Sequence, residues 1–135
     1  RVELHSKNAH QLAEYLSESE HIKETLYPGL KSSKNHEIAT KQMDYFGGML
    51  SFFLEDHVDQ SKFLDELNLY KLAVSLGGVE TLIEVPYLMT HEKVTGLEGE
   101  IINNAPEDLI RISVGIENIE DLIEDMDSAL NASRK

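Results

Sequence analysis

Two adjoining stretches near the C-terminal end leave this chain few folds to choose from. In Leu109-Ile110-Arg111-Ile112-Ser113-Val114, Ile110, Ile112 and Val114 recur at every second residue. That spacing puts them on one face of a strand and Leu109, Arg111 and Ser113 on the other. Gly115 breaks the run, and after Asn118, a good N-cap, the period changes. Ile119, Leu122, Ile123, Met126, Ala129 and Leu130 then follow the i, i+3, i+4, i+7 spacing of an amphipathic helix. Glu120 and Asp121 fall in its first turn, where the helix dipole favours acids. A strand and a helix of this kind bury their apolar sides only against another layer, so a layered α/β arrangement is predicted.

The chain before them alternates in the same way. Leu4, Ala9, Leu12, Ala13 and Leu16 make a partial helical stripe over residues 4–18. Ile22 to Tyr27 reads as a strand ended by the turn dipeptide Pro28-Gly29. Ile38, Ala39, Gln42 and Met43 share one face of a helix over Asn35–Met43, which Gly47-Gly48 stops. Met49 to Glu55 alternates with apolar residues on both faces (Leu50, Phe52 and Leu54; Met49 and Phe53), so a strand buried on both sides is expected. Asp59 is a good N-cap, and Val58 with Phe63 has the spacing of a hydrophobic staple. That helix leads into Leu72-Ala73-Val74 and the pair Gly77-Gly78; Thr81–Val85 then reads as a short strand closed by Pro86. Residues 87–106, with Gly96, Gly99, Asn103, Asn104 and Pro106, read as a loop holding one helical turn. The expected architecture is one α/β (α+β) domain over residues 1–135: a small, mainly antiparallel sheet with helices packed on one face.

Composition narrows the partners. A chain of 135 residues is one domain's length. A net charge of -13 disfavours nucleic acid and anionic membrane, both of which bind through clustered Lys and Arg. The absence of cysteine excludes disulfides, thiolate metal sites and a cysteine nucleophile, and fits a cytoplasmic location. No apolar run reaches the roughly 20 residues needed to span a bilayer. With Arg1 in place of an initiator Met, the chain reads as a piece of a longer protein. Asn131-Ala132-Ser133 matches a glycosylation sequon, which in this setting reads as a chance match.

Few residues carry chemistry. Arg111 sits among Ile, Leu and Val, where a guanidinium is costly unless paired. Two readings stay open: a bidentate fork for a substrate carboxylate, or a structural pair with one of the chain's many acids, the commoner case. Ser75 beside Gly77-Gly78 can offer a hydroxyl and free N–H groups to an anion, or can be a plain tight turn. A zinc motif fails, because His36-Glu37 is followed by Thr40 where HExxH needs histidine, and no metal site is expected. The acids Glu117, Glu120, Asp121, Glu124, Asp125 and Asp127 lack calcium-loop order and read as a solvated helix face. Tyr27 and Tyr45 read as packing residues.

Taken in order, Tyr27-Pro28-Gly29-Leu30, Gly47 to Phe52, Ser75 to Ile83, Met89-Thr90-His91 and Leu109 to Glu117 resemble a known family. It is the C-terminal domain of the Cys/Met metabolism (trans-sulfuration) pyridoxal-phosphate enzymes, which include cystathionine gamma-lyase, cystathionine beta-lyase, cystathionine gamma-synthase and methionine gamma-lyase. The likeness runs from about Asn8 to Leu130. It implies the C-terminal domain of a fold-type I enzyme, a sulfur amino acid substrate, pyridoxal 5'-phosphate as cofactor and a homotetramer. It also implies an N-terminal domain, absent from this chain, that carries the cofactor lysine. By that resemblance Arg111 clamps the substrate carboxylate, Ser75 lies beside it, Val74 and Leu76 flank the site, and no catalytic residue belongs to this chain. Val74 departs from the acidic residue common in members acting on cystathionine and is closer to the methionine gamma-lyase pattern. Residues 92–106 lack the usual basic, proline-containing connection. The chain by itself is expected to be inactive. A stand-alone binding or interaction domain that kept the fold without the chemistry is the alternative.

Overall fold

The computed structural model describes residues 1–89 and 105–135. Its elements in chain order are α1 (Val2–Glu18), β1 (Ile22–Leu26), α2 (His36–Gln42), β2 (Met49–Leu54) and α3 (Gln60–Glu66). There follow β3 (Lys71–Leu72), β4 (Leu82–Glu84), α4 (Pro86–Met89), β5 (Leu109–Ser113) and α5 (Ile119–Ala132). The strands form one sheet in the order β1-β2-β5-β4-β3. Neighbours run antiparallel except β3 and β4, which are parallel. The expected architecture therefore stands, with a short parallel edge added. Of the loop expected over 87–106, residues 90–104 lie outside the described residues. The expected helical turn appears at once after β4, because Pro86 both ends the strand and suits the first position of a helix.

Local signals set the elements as the sequence suggests. The Asp59 carboxylate accepts from the Lys62 N–H at 2.9 Å, capping α3, while Val58 and Phe63 are both buried as a staple requires. The Asn118 side chain accepts from the Glu120 N–H at 2.8 Å and starts α5. Ala9, Leu12, Ala13 and Leu16 of α1 and Leu122, Met126, Ala129 and Leu130 of α5 share one core with Leu50, Phe52, Ile83, Ile110 and Ile112 of the sheet. Phe63 meets Phe52 edge-on, with ring centroids 6.2 Å apart. Buried Tyr70 donates its hydroxyl to the Leu122 carbonyl at 2.8 Å. Burial first, then the charge of Asp125, holds its phenol well above its ordinary pKa.

The first helix and the last strand are also stitched together. Asn8 donates through Nδ2 to the carbonyls of Gly115 (3.2 Å) and Glu117 (2.8 Å). His5 donates through Nδ1 to the Val114 carbonyl at 2.7 Å. These bonds fix the end of β5 against α1.

One expectation is corrected by the burial pattern. In β2, Leu50 and Phe52 are buried but Met49, Ser51 and Phe53 are only half-buried. The helices cover one face of the sheet, and β2 turns its second apolar row toward the other. Arg111 also lies on that second face.

Candidate carboxylate-binding site

β5 is the middle strand, so each of its residues has a neighbour on both sides. Arg111 stands opposite Ser51 on β2 and opposite Glu84 on β4. This row runs across the face opposite the one that packs on α1 and α5. Glu84 is 2% exposed and Arg111 29%, and Arg111 Nη2 is in ion-pair contact with Glu84 Oε1. Among the described residues neither Glu84 oxygen has a hydrogen-bond partner, which leaves the ion pair with Arg111 to meet its charge. A structural pair for Arg111 thus exists. Its partner is an acid that sequence reasoning did not single out, although an acid two residues before Pro86 inside the apolar run Leu82 to Val85 was the available signal.

The segment containing Ser75 reaches the same face. Gly77 takes φ of +77°, a conformation that glycine adopts without strain, and its N–H donates to Ser113 Oγ at 2.9 Å. Ser113 is two residues beyond Arg111 on one strand, so their side chains share a face. Val74 and Leu76 are 51% and 59% exposed, and Ser75 is exposed as well. The structure therefore brings the Val74–Gly78 segment and Arg111 to one face and leaves the three side chains of residues 74–76 open. Gly78 needs no special backbone angle, and a Cβ there would meet nothing within 4 Å.

Three residues to which the sequence reading gave other roles, Thr81, Gly115 and Glu117, tie the end of this segment to the end of β5. Glu117 accepts from the Thr81 N–H at 2.6 Å and from the Thr81 hydroxyl at 2.8 Å. Thr81 Oγ1 in turn accepts from the Gly115 N–H at 2.9 Å. Glu117 was grouped with the solvated acids of the last helix. It instead precedes the cap and anchors the loop, because the turn after β5 aims it back at Thr81. Asp125 likewise accepts from the Leu69 N–H at 2.8 Å, and Asp127 accepts the Tyr15 hydroxyl at 2.6 Å. His36, considered above for metal, donates through Nδ1 to the Pro28 carbonyl at 2.9 Å.

A family model described as Cys/Met metabolism PLP-dependent enzyme matches residues 1–131. The chain belongs to that family. Among similar proteins are a cystathionine beta-lyase of Lactococcus lactis subsp. cremoris, 49% identical over 130 residues, covering 96% of this chain and 34% of the relative. An L-methionine gamma-lyase of Fusobacterium nucleatum subsp. polymorphum is 45% identical over 131 residues, covering 96% of this chain and 33% of its own length. The solved structure of cystathionine gamma-lyase from Lactobacillus plantarum complexed with L-serine is similar in fold, with a TM-score of 0.87 at 34% identity. The match covers 98% of this chain and 35% of that one. This member of the Cys/Met metabolism family thus spans about a third of the length of the curated relatives it matches.

Pyridoxal phosphate requires a lysine amine shielded from water, and donors for its phosphate. Every lysine among the described residues is exposed, and Lys71 is taken up by Glu80 at 2.8 Å, which raises its pKa. None of these described lysines is shielded from water as that amine requires. Among the described residues, no helix is long and apolar enough to cross a membrane.

Proposed function

We propose that this chain is the C-terminal, substrate-carboxylate-binding domain of a cytoplasmic pyridoxal-phosphate-dependent carbon–sulfur lyase, or of a related cystathionine gamma-synthase. Its substrate is a sulfur amino acid. The observation that carries the reading is the Gly77–Ser113 hydrogen bond, which ties the Ser75 segment to the strand face bearing Arg111. Arg111 is held on a central strand with Ser51 and Glu84 on either side, so its planar fork is oriented before a ligand arrives. The guanidinium takes the α-carboxylate, the Ser75 hydroxyl donates beside it, and Val74 and Leu76 set the shape of the wall. The contribution is positional: fixing the carboxylate restricts how the amino acid presents its Cα–H bond.

Pyridoxal phosphate supplies the electron sink for that chemistry when bound to the rest of the protein. The remaining two-thirds of a family-length protein would carry the cofactor lysine, and the whole would assemble as a homotetramer. The exposure of the described lysines supports a division of labour in which this domain binds and orients substrate. Mixed with pyridoxal phosphate, the 135-residue chain is expected to hold no lasting colour and to release no product from cystathionine or methionine. Turnover by this chain would overturn the division.

The role of Arg111 is tested in the full-length enzyme. Arg111→Lys keeps a cation beside Glu84 but loses the fork. It is expected to weaken substrate binding by about 1.5–3 kcal/mol, read as a raised KM with a smaller change in kcat. Wild-type kinetics would remove the clamp assignment.

A further inference from the structure

Among the described residues Glu84 is the most deeply buried carboxylate, and the reading above uses it only as a neighbour of Arg111 on the strand pair. It lies directly across the strand pair from Arg111, 2% exposed, with no hydrogen bond to either oxygen among the described residues. A carboxylate in that position is very costly to leave without its cation, so it does not release Arg111 when a second anion arrives. It touches the guanidinium at one terminal nitrogen, Nη2. A guanidinium carries five N–H donors in one rigid plane, so a contact at one corner fixes the plane and leaves other donors for a second carboxylate. β4 and β5 hold the two residues in register, so this orientation is built into the sheet rather than into a flexible side chain.

We propose that Glu84 is a positioning residue for Arg111: it sets the direction in which the guanidinium fork meets the substrate carboxylate. The inference rests on the carboxylate-clamp reading of Arg111. The short β4 serves this role directly, because Leu82, Ile83 and Glu84 are all buried and Pro86 ends the strand two residues beyond the acid. The consequence is a preference for substrates with a free carboxylate over neutral ones of the same shape. A charge at the wrong angle attracts an anion but does not pair with it bidentately.

The test compares a sulfur amino acid with its primary amide in the full-length enzyme, using wild type, Glu84→Gln, Glu84→Asp and Arg111→Lys. Glu84→Gln is expected to raise KM for the acid about tenfold with kcat within about twofold, and to leave kcat/KM for the amide nearly unchanged. The preference for acid over amide then falls about tenfold, and Glu84→Asp, which keeps the charge on a shorter stem, restores part of it. A Gln variant that keeps the wild-type preference overturns the proposal, whether the rates for both substrates fall together or neither falls. Should the Gln variant not fold, Glu84→Asp decides alone: a fall of a few-fold in the preference supports the proposal, and an unchanged preference overturns it. Arg111→Lys separates the two readings. If it leaves the preference intact, the clamp assignment itself fails; if it lowers the preference while both Glu84 variants do not, only the positioning role fails.

Discussion

Replacing Arg111 with Leu is expected to destabilise the folded chain by about 3 kcal/mol, because it leaves the Glu84 carboxylate buried with no counter-charge. The figure is set at the low end of the range for broken buried pairs, since Arg111 keeps 29% of its side chain in contact with solvent. Adding Glu84→Leu should return most of that loss. Two leucines facing each other across β4 and β5 match the apolar character of Leu82 and Leu109 on the same face, and carry no desolvation cost. Urea denaturation of the wild type, Arg111→Leu and the double variant measures this directly. If the single variant is as stable as the wild type, Glu84 is not held by Arg111, and the cross-strand pair has no energetic meaning. The non-additivity is the informative quantity, because the two residues are in contact.

Gly115→Ala is expected to cost about 3 kcal/mol as well, for a steric reason. A Cβ at this position would overlap the Val79 carbonyl oxygen and the Glu117 carboxylate, and would stand 2.7 Å from the Glu80 carbonyl carbon. Two of these three neighbours are backbone, so a rotamer change cannot relieve them. The strand end would have to part from residues 79 and 80, breaking the 2.9 Å bond from the Gly115 N–H to Thr81 and displacing the segment that carries Ser75. The stability loss is read by thermal or chemical unfolding, and the displacement as a lowered kcat/KM in the full-length enzyme. Gly78→Ala is the control: with nothing within 4 Å, it should change stability by no more than about 0.5 kcal/mol. Equal effects at the two positions would rule out the steric explanation.

The contrast between these glycines marks where sequence reading reached its limit. A Gly-Gly pair announces backbone freedom but does not say which residue uses it. Here Gly77 takes the positive φ, while Gly115, which had read only as a strand breaker, has the tight surroundings. Features written in local sequence were legible: the caps at Asp59 and Asn118, the Val58–Phe63 staple, the stripe of α5 and the alternation of β5. Features fixed by register were not. With 25 acids in the chain, the apolar run around Glu84 marks it as a buried acid, but only the pairing of β4 with β5 makes it the partner of Arg111. The half-buried second row of β2 was misjudged for a related reason. Alternating apolar residues show that both faces want cover, not whether this chain supplies it. The joint placement of Ser75 and Arg111 was suggested by family resemblance alone, since 36 residues separate them and the bond from Gly77 to Ser113 joins their segments only in three dimensions.

The stitching of α1 to the end of β5 bears on how the molecule is made. Leu12 and Leu16 are synthesised well before the α5 residues that complete their core. At roughly 5–20 residues per second, the first helix waits several seconds with its apolar stripe uncovered. Asn8 finds its two carbonyls only once β5 and the turn after it have been made. A polypeptide cut short before α5 therefore leaves the apolar stripe of α1 without its cover.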